Sequence, residues 1–133
     1  MPELSLSEML DIASKIAYSA KMSGKDYKSQ INRILEVLEV TSDERELKAP
    51  VLTTIAFVIR QMGRNEIDNK TGALIKDALF KLIDTDKPKD HARKLLGLFK
   101  WLYESIEKRR LPRVSTIDQV NFKWITDVVC GTR

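Results

Sequence analysis

Apolar residues recur at intervals of three and four along most of this chain, and that pattern narrows the fold more than any other feature. Leu6, Met9, Leu10, Ala13, Ile16, Ala17 and Ala20 form one stripe. Ala92, Leu95, Leu96, Phe99, Leu102, Tyr103 and Ile106 form another. Glycine and proline are scarce, five and four in 133 residues, so few positions break a helix. The expectation is an all-α, single-domain bundle of five or six helices over residues 1–133, with a core of about 7–109 and a C-terminal extension of 111–133. A chain of this length buries roughly two-thirds of its unfolded surface and needs no covalent staple.

The punctuation places the elements. Helix one spans Ser7 to Met22, with Ser5 and Glu8 spaced as a capping box. Helix two runs from an Asp26 N-cap to Val40 and turns Tyr27, Ile31, Ile34, Leu35 and Leu38 inward. Pro50 opens helix three, which ends near Gln61. It is the most apolar segment, expected at the centre, with Val51, Leu52, Ile55, Val58, Ile59 and Met62 as its stripe. Helix four covers Thr71 to Ile83 and helix five Lys89 to Arg109. Residues 115–129 fit a helix or an alternating strand. No other segment offers a partner strand, so helix is the expectation.

The chemistry of most enzymes is missing. His91 and Cys130 are the only histidine and cysteine. The sequence holds no glycine-rich phosphate loop and no H-E-x-x-H or C-x-x-C motif. "DTDKPKDH" lacks the glycine and terminal glutamate of a calcium loop. The expectation is therefore a non-enzymatic protein with no cofactor, no metal and no small-molecule substrate. The opening residues lack a basic, then apolar, leader, and no apolar run approaches the ~18 residues that span a bilayer. With one cysteine and no internal disulfide, a cytoplasmic location without membrane contact is expected.

The charge of +4 is uneven: residues 1–66 hold nine Lys/Arg against ten Asp/Glu, and residues 67–133 hold fourteen against nine. A basic half points to an anionic partner, nucleic acid above all, or merely to a soluble surface. Helical geometry, about 100° per residue, refines this. On helix two, Lys28, Ser29, Asn32 and Arg33 lie away from the stripe, with Lys25 just ahead of it. On helix three, Phe57 falls outside the stripe beside Arg60 and Arg64. An aromatic ring between arginines suits a stacked base with clamped phosphates, and it also suits packing on a neighbouring helix. On helix five, Trp101 lies opposite the stripe with Lys94 and Lys108 seven residues to either side. The chain's own tail, a second subunit or a nucleobase would have to cover it, and the tail is the first expectation. Arg109, Arg110 and Arg113 make the densest basic run.

Three passages, in order, resemble a known family. "KSQINRILEV" is similar to the T-S-Q-I-R helix of the small subunit of type III-A CRISPR RNA-guided effector complexes, the Csm small subunit. "LTTIAFVIRQMGR" resembles its L-A-Y-…-R helix, with Ala56-Phe57 for Ala-Tyr, and "LLGLFKWLYESI" resembles its last aromatic helix. The likeness spans residues 7–109 and extends to small subunits of related effectors. Asn32 interrupts the Q-I-R run, and the tail from Leu111 has no counterpart. The resemblance implies a non-catalytic building block of an antiviral-defence ribonucleoprotein. Its copies would stack beside other effector subunits and line the channel where guide RNA pairs with target. It would grip RNA, and in principle single-stranded DNA, by the backbone, since pairing reads the sequence. Arg33, Arg60 and Arg64 are the positions the motifs carry over. Lys25, Lys28, Lys94, Lys108, Arg109 and Arg110 join them on charge and geometry, with Phe57 and Trp101 as stacking or subunit contacts. The alternative is a structural or adaptor protein, viral for example, acting through protein contacts.

Overall fold

The computed structural model describes residues 4–131; residues 1–3 and 132–133, the ends of the expected domain, lie outside the described residues. It is an all-α bundle: α1 (Leu6–Met22), α2 (Lys28–Val40), α3 (Ala49–Gly63), α4 (Asn69–Phe80), α5 (Pro88–Ile106), a 3₁₀ turn (Ile117–Gln119) and α6 (Phe122–Cys130). Among the described residues there is no strand, and of the tail expected as a helix over 115–129 only Phe122–Cys130 is α-helical, preceded by the 3₁₀ turn. No helix is long and apolar enough to cross a membrane.

Three of the helices, α1, α4 and α6, begin where a local side chain accepts from a first-turn amide. Ser5 Oγ accepts from the Glu8 amide at 3.2 Å and Glu8 Oε1 accepts from the Ser5 amide at 3.0 Å, closing the capping box. Asp68 and Asn121 cap α4 and α6 in the same way. Asp26 is not the N-cap of α2. Tyr27 holds that position, while Asp26 Oδ1 accepts from the Lys28 amide at 3.0 Å and the Tyr27 amide donates to the Tyr103 hydroxyl at 3.3 Å. The cap is thus supplied partly by another helix, which no local pattern reveals. Asn65 takes a left-handed conformation (φ 61°) just past α3, where a short polar residue tolerates it best.

The axis is the pair α1 and α5, not α3. Ala13, Ala17 and Ala20, all fully buried, leave α1 a small-residue face on which α5 seats Leu95, Phe99 and Ile106. The two helices run parallel, since Lys21 near the end of α1 donates to the Glu107 carbonyl at the end of α5. Around this axis α5 packs on α2, α2 on α3, α3 on α4, and α4 returns to α1. α6 lies across α1: Lys15 Nζ donates to the Val120 carbonyl at 2.6 Å, and the Phe122 amide donates to Asp11 Oδ1 at 2.9 Å.

α3 is turned about its axis relative to the expected stripe. Leu52 and Ile59 are 37% and 48% exposed, whereas Pro50, Thr54 and Gln61 are buried. Gln61 Nε2 donates to Gln30 Oε1 of α2 at 2.9 Å, and the Thr54 hydroxyl donates to the Pro50 carbonyl at 2.7 Å. These bonds remove the penalty that keeps polar groups out of a core. Among the described residues no buried side-chain nitrogen or oxygen lacks a partner. Leu6 is also exposed, since it starts α1 beyond its packed turns.

Candidate nucleic-acid interface

The helix directions sort the charges. α1, α3 and α5 end, and α2 and α4 begin, at the same end of the bundle, as four cross-ties show. Lys21 reaches the Glu107 carbonyl, Lys25 Nζ donates to the Asn65 carbonyl at 2.9 Å, Lys28 Nζ lies 3.4 Å from Glu107 Oε1, and the Tyr27 hydroxyl donates to Asp68. Lys25, Lys28, Arg60, Arg64, Lys108, Arg109 and Arg110, far apart in sequence, therefore meet at this end. Lys21, Lys70 and Arg113, which helix-face reasoning left out, join them. The signal of Lys21 and Lys70 in the sequence was only their place next to a helix end, while Arg113 belonged to the densest basic run.

What these cations touch is mostly neutral. Arg60 Nη1 donates to the Gln61 side-chain oxygen at 3.0 Å, and Arg109 Nε donates to the Ser105 carbonyl at 3.1 Å. Lys21, Lys25 and Arg109 thus meet carbonyl oxygens, two of them on the last turns of α5, where helix polarity favours a positive charge. Among the described residues the one ion pair at this end is Lys28–Glu107. The opposite end differs. There the Arg93 guanidinium holds Glu39 with two bonds and Asp90 with a third, and Lys48 pairs with Asp84 at 3.2 Å. The same contact holds the Glu39 carboxyl below its ordinary range, through its hydrogen bond to Arg93. Arg93 and Lys48 are neutralised in place there, while Lys89 donates to the Glu39 and Thr41 carbonyls; at the basic end Lys28, Arg60, Arg64 and Arg109 are exposed.

The remaining expected residues are distributed around this end. Arg33 is exposed on α2, and the antiparallel Gln30–Gln61 register sets it level with Phe57 and Val58 of α3. Phe57 is half-buried and packed against the core, because the turn of α3 carries it toward α2. It is not a free ring between arginines. Lys94 belongs to the other half of α5, about four turns' length before Arg109, and shares only the outer face of that helix with Trp101. Trp101 is 71% exposed. The tail does not cover it: α6 is engaged by α1, and the tryptophan that packs is Trp124, edge-on to Tyr18 at 5.5 Å. Between α2 and α5 a shallow groove of about 130 Å³ is lined by Lys28, Ile31, Asn32, Lys100, Tyr103 and Glu104. Asn32, the departure from the Q-I-R run, is thus a groove residue.

His91 Nδ1 shares a hydrogen bond of 2.9 Å with the Thr85 hydroxyl, and among the described residues no three His, Cys, Asp or Glu side chains gather as a metal-binding group. No family model, curated protein or solved structure matches the chain.

Proposed function

We propose that this chain is a non-enzymatic, nucleic-acid-gripping subunit of an RNA-guided CRISPR effector ribonucleoprotein of the cytoplasm, holding a guide, target or other single strand by its backbone. One observation carries the reading: cations at or just past the ends of α1, α3 and α5 and around the starts of α2 and α4 gather at one end of the bundle, where they outnumber the carboxylates of Asp26, Glu66, Asp68 and Glu107. Such a surface suits phosphates, and the exposed Trp101 of α5 offers a ring for stacking or for a neighbouring subunit. The resemblance of residues 7–109 to the Csm small subunit supplies the biological setting, including contacts with other subunits and copies of itself.

The test is a titration of labelled single-stranded RNA by fluorescence anisotropy at roughly 50 and 200 mM salt. Each phosphate contact contributes about 0.7 to the salt slope on a single strand. The Arg60→Glu, Arg64→Glu double variant should bind more weakly and with a slope lower by about 1.4. Equal affinity and slope for both proteins would remove α3 from the interface.

A second reading, a structural or adaptor protein, rests on Leu52, Ile59 and Phe80. They are 37%, 48% and 46% exposed along the outer edge of α3 and α4 and suit a protein contact. Under that reading the wild-type chain shows no RNA affinity at either salt.

A further inference from the structure

Next to the basic end, α1, α4 and residues 113–117 enclose a cleft of about 570 Å³. Its size lies within the range of small-ligand sites, about 300–1,000 Å³. Tyr18, Met22, Leu74, Val114 and Ile117 supply apolar surface. Lys70 and Arg113 stand at its edge, both exposed, and neither side chain hydrogen-bonds or ion-pairs with another described residue. The Asp68 carboxylate also lines the cleft. Three donors orient it: the Tyr27 hydroxyl on Oδ1, and on Oδ2 the Thr71 amide at 3.1 Å and the Thr71 hydroxyl at 3.0 Å. Bulk apolar surface, an oriented acceptor and two unpaired cations at the mouth are the parts of a nucleotide site.

We infer that this cleft takes one unstacked nucleotide of a bound strand, its base against the apolar walls and its phosphate between Lys70 and Arg113. This rests on the backbone-gripping reading above and deepens it, because the cleft opens beside the same basic end. The base is not wholly anonymous. Asp68 presents acceptors only, so a base with an exocyclic amine (adenine, guanine or cytosine) fits it better than uracil, whose carbonyl oxygens would face the carboxylate. A peptide segment without acidic side chains would use the apolar walls but leave the two cations unanswered.

Two measurements test it. In the first, methyl NMR of the full chain is followed as a single-stranded RNA, GMP, UMP or inorganic phosphate is added. Leu74, Val114 and Ile117 methyls should shift with RNA and GMP, less with UMP, and not with phosphate alone. In the second, Ala73→Trp narrows the cleft from α4. Stacking of one base and one phosphate contact are at stake, so RNA affinity should fall about 5- to 150-fold and the salt slope by about 0.7. The Arg60→Glu, Arg64→Glu variant changes the slope and leaves the GMP shifts in place. RNA binding with the cleft methyls unmoved overturns the insertion and leaves the backbone grip standing. Methyl shifts equal for phosphate and GMP overturn the base site. A chain that binds no strand at either salt overturns both.

Discussion

Gln61 of α3 donates through Nε2 to Gln30 Oε1 of α2 over 2.9 Å, and the two residues are only 1% and 4% exposed. This buried amide pair sits where a sequence pattern calls for leucine. It sets which side of α3 faces inward, and so which residues of α3 reach solvent.

Gln61→Leu should therefore destabilise the protein, because the Gln30 amide loses its partner in a dry place. The expected cost is about 1–3 kcal/mol in urea unfolding. The double variant Gln30→Leu, Gln61→Leu should recover much of that loss, since an apolar pair leaves nothing unsatisfied. Additive losses in the double-mutant cycle would show that the amides act independently.

Trp101 separates binding from folding. Its 71% exposure predicts that Trp101→Ala changes unfolding free energy by no more than about 0.5 kcal/mol. If the ring stacks on a base, RNA affinity falls about 5- to 150-fold in the same variant. A large loss of stability with unchanged RNA affinity would assign the ring to the fold.

Two helical glycines should respond in opposite ways to alanine. A Cβ at Gly97 of α5 meets nothing within 4 Å, so Gly97→Ala should stabilise by about 0.5–1 kcal/mol. A Cβ at Gly72 of α4 would lie 2.4 Å from Met62 Sδ and 2.6 Å from Met62 Cγ. Gly72→Ala gains the same helical preference but must displace Met62. Overpacking costs typically about 1–3 kcal/mol, so the net change should be a loss. Thermal unfolding of the two variants decides both.

Alkaline pH should unfold the protein through Tyr27. Burial, and then its hydrogen bond to Asp68, raise the folded-state pKa of this phenol above its ordinary value of 10.0. Burial raises Tyr103 as well. The unfolded chain releases these protons first. The stabilisation is complete below about pH 10 and is lost as pH rises from there through the folded-state values. Tyr27→Phe should flatten that alkaline decline while costing about 1.5–3 kcal/mol at neutral pH, because the lost bond is to a carboxylate. An unaltered decline would assign the alkaline transition to other groups.

Fold class, helix count and most of the core were legible in the residues themselves. The stripe of α5 from Ala92 to Ile106 is buried as its periodicity requires, and the Ser5–Glu8 box forms as spaced. These properties are local: capping needs residues three apart, and a stripe needs only the helical repeat. The turn of α3 was not legible, because Gln61 becomes a core residue only when Gln30 arrives from another helix. Nor was the fate of Trp101, since α6 could be given to α1 only once Asp11 and Lys15 were in place to hold it. The candidate site divides in the same way. Sequence marked Arg60, Arg64, Arg109 and Arg110 as cations clear of the core. Arg113 shared the basic run of Arg109 and Arg110, but helix direction alone brought these together with Arg60, Arg64, Lys21 and Lys70. Charge is written residue by residue, but its concentration at one end depends on which helix ends coincide, and only packing of the whole chain settles that.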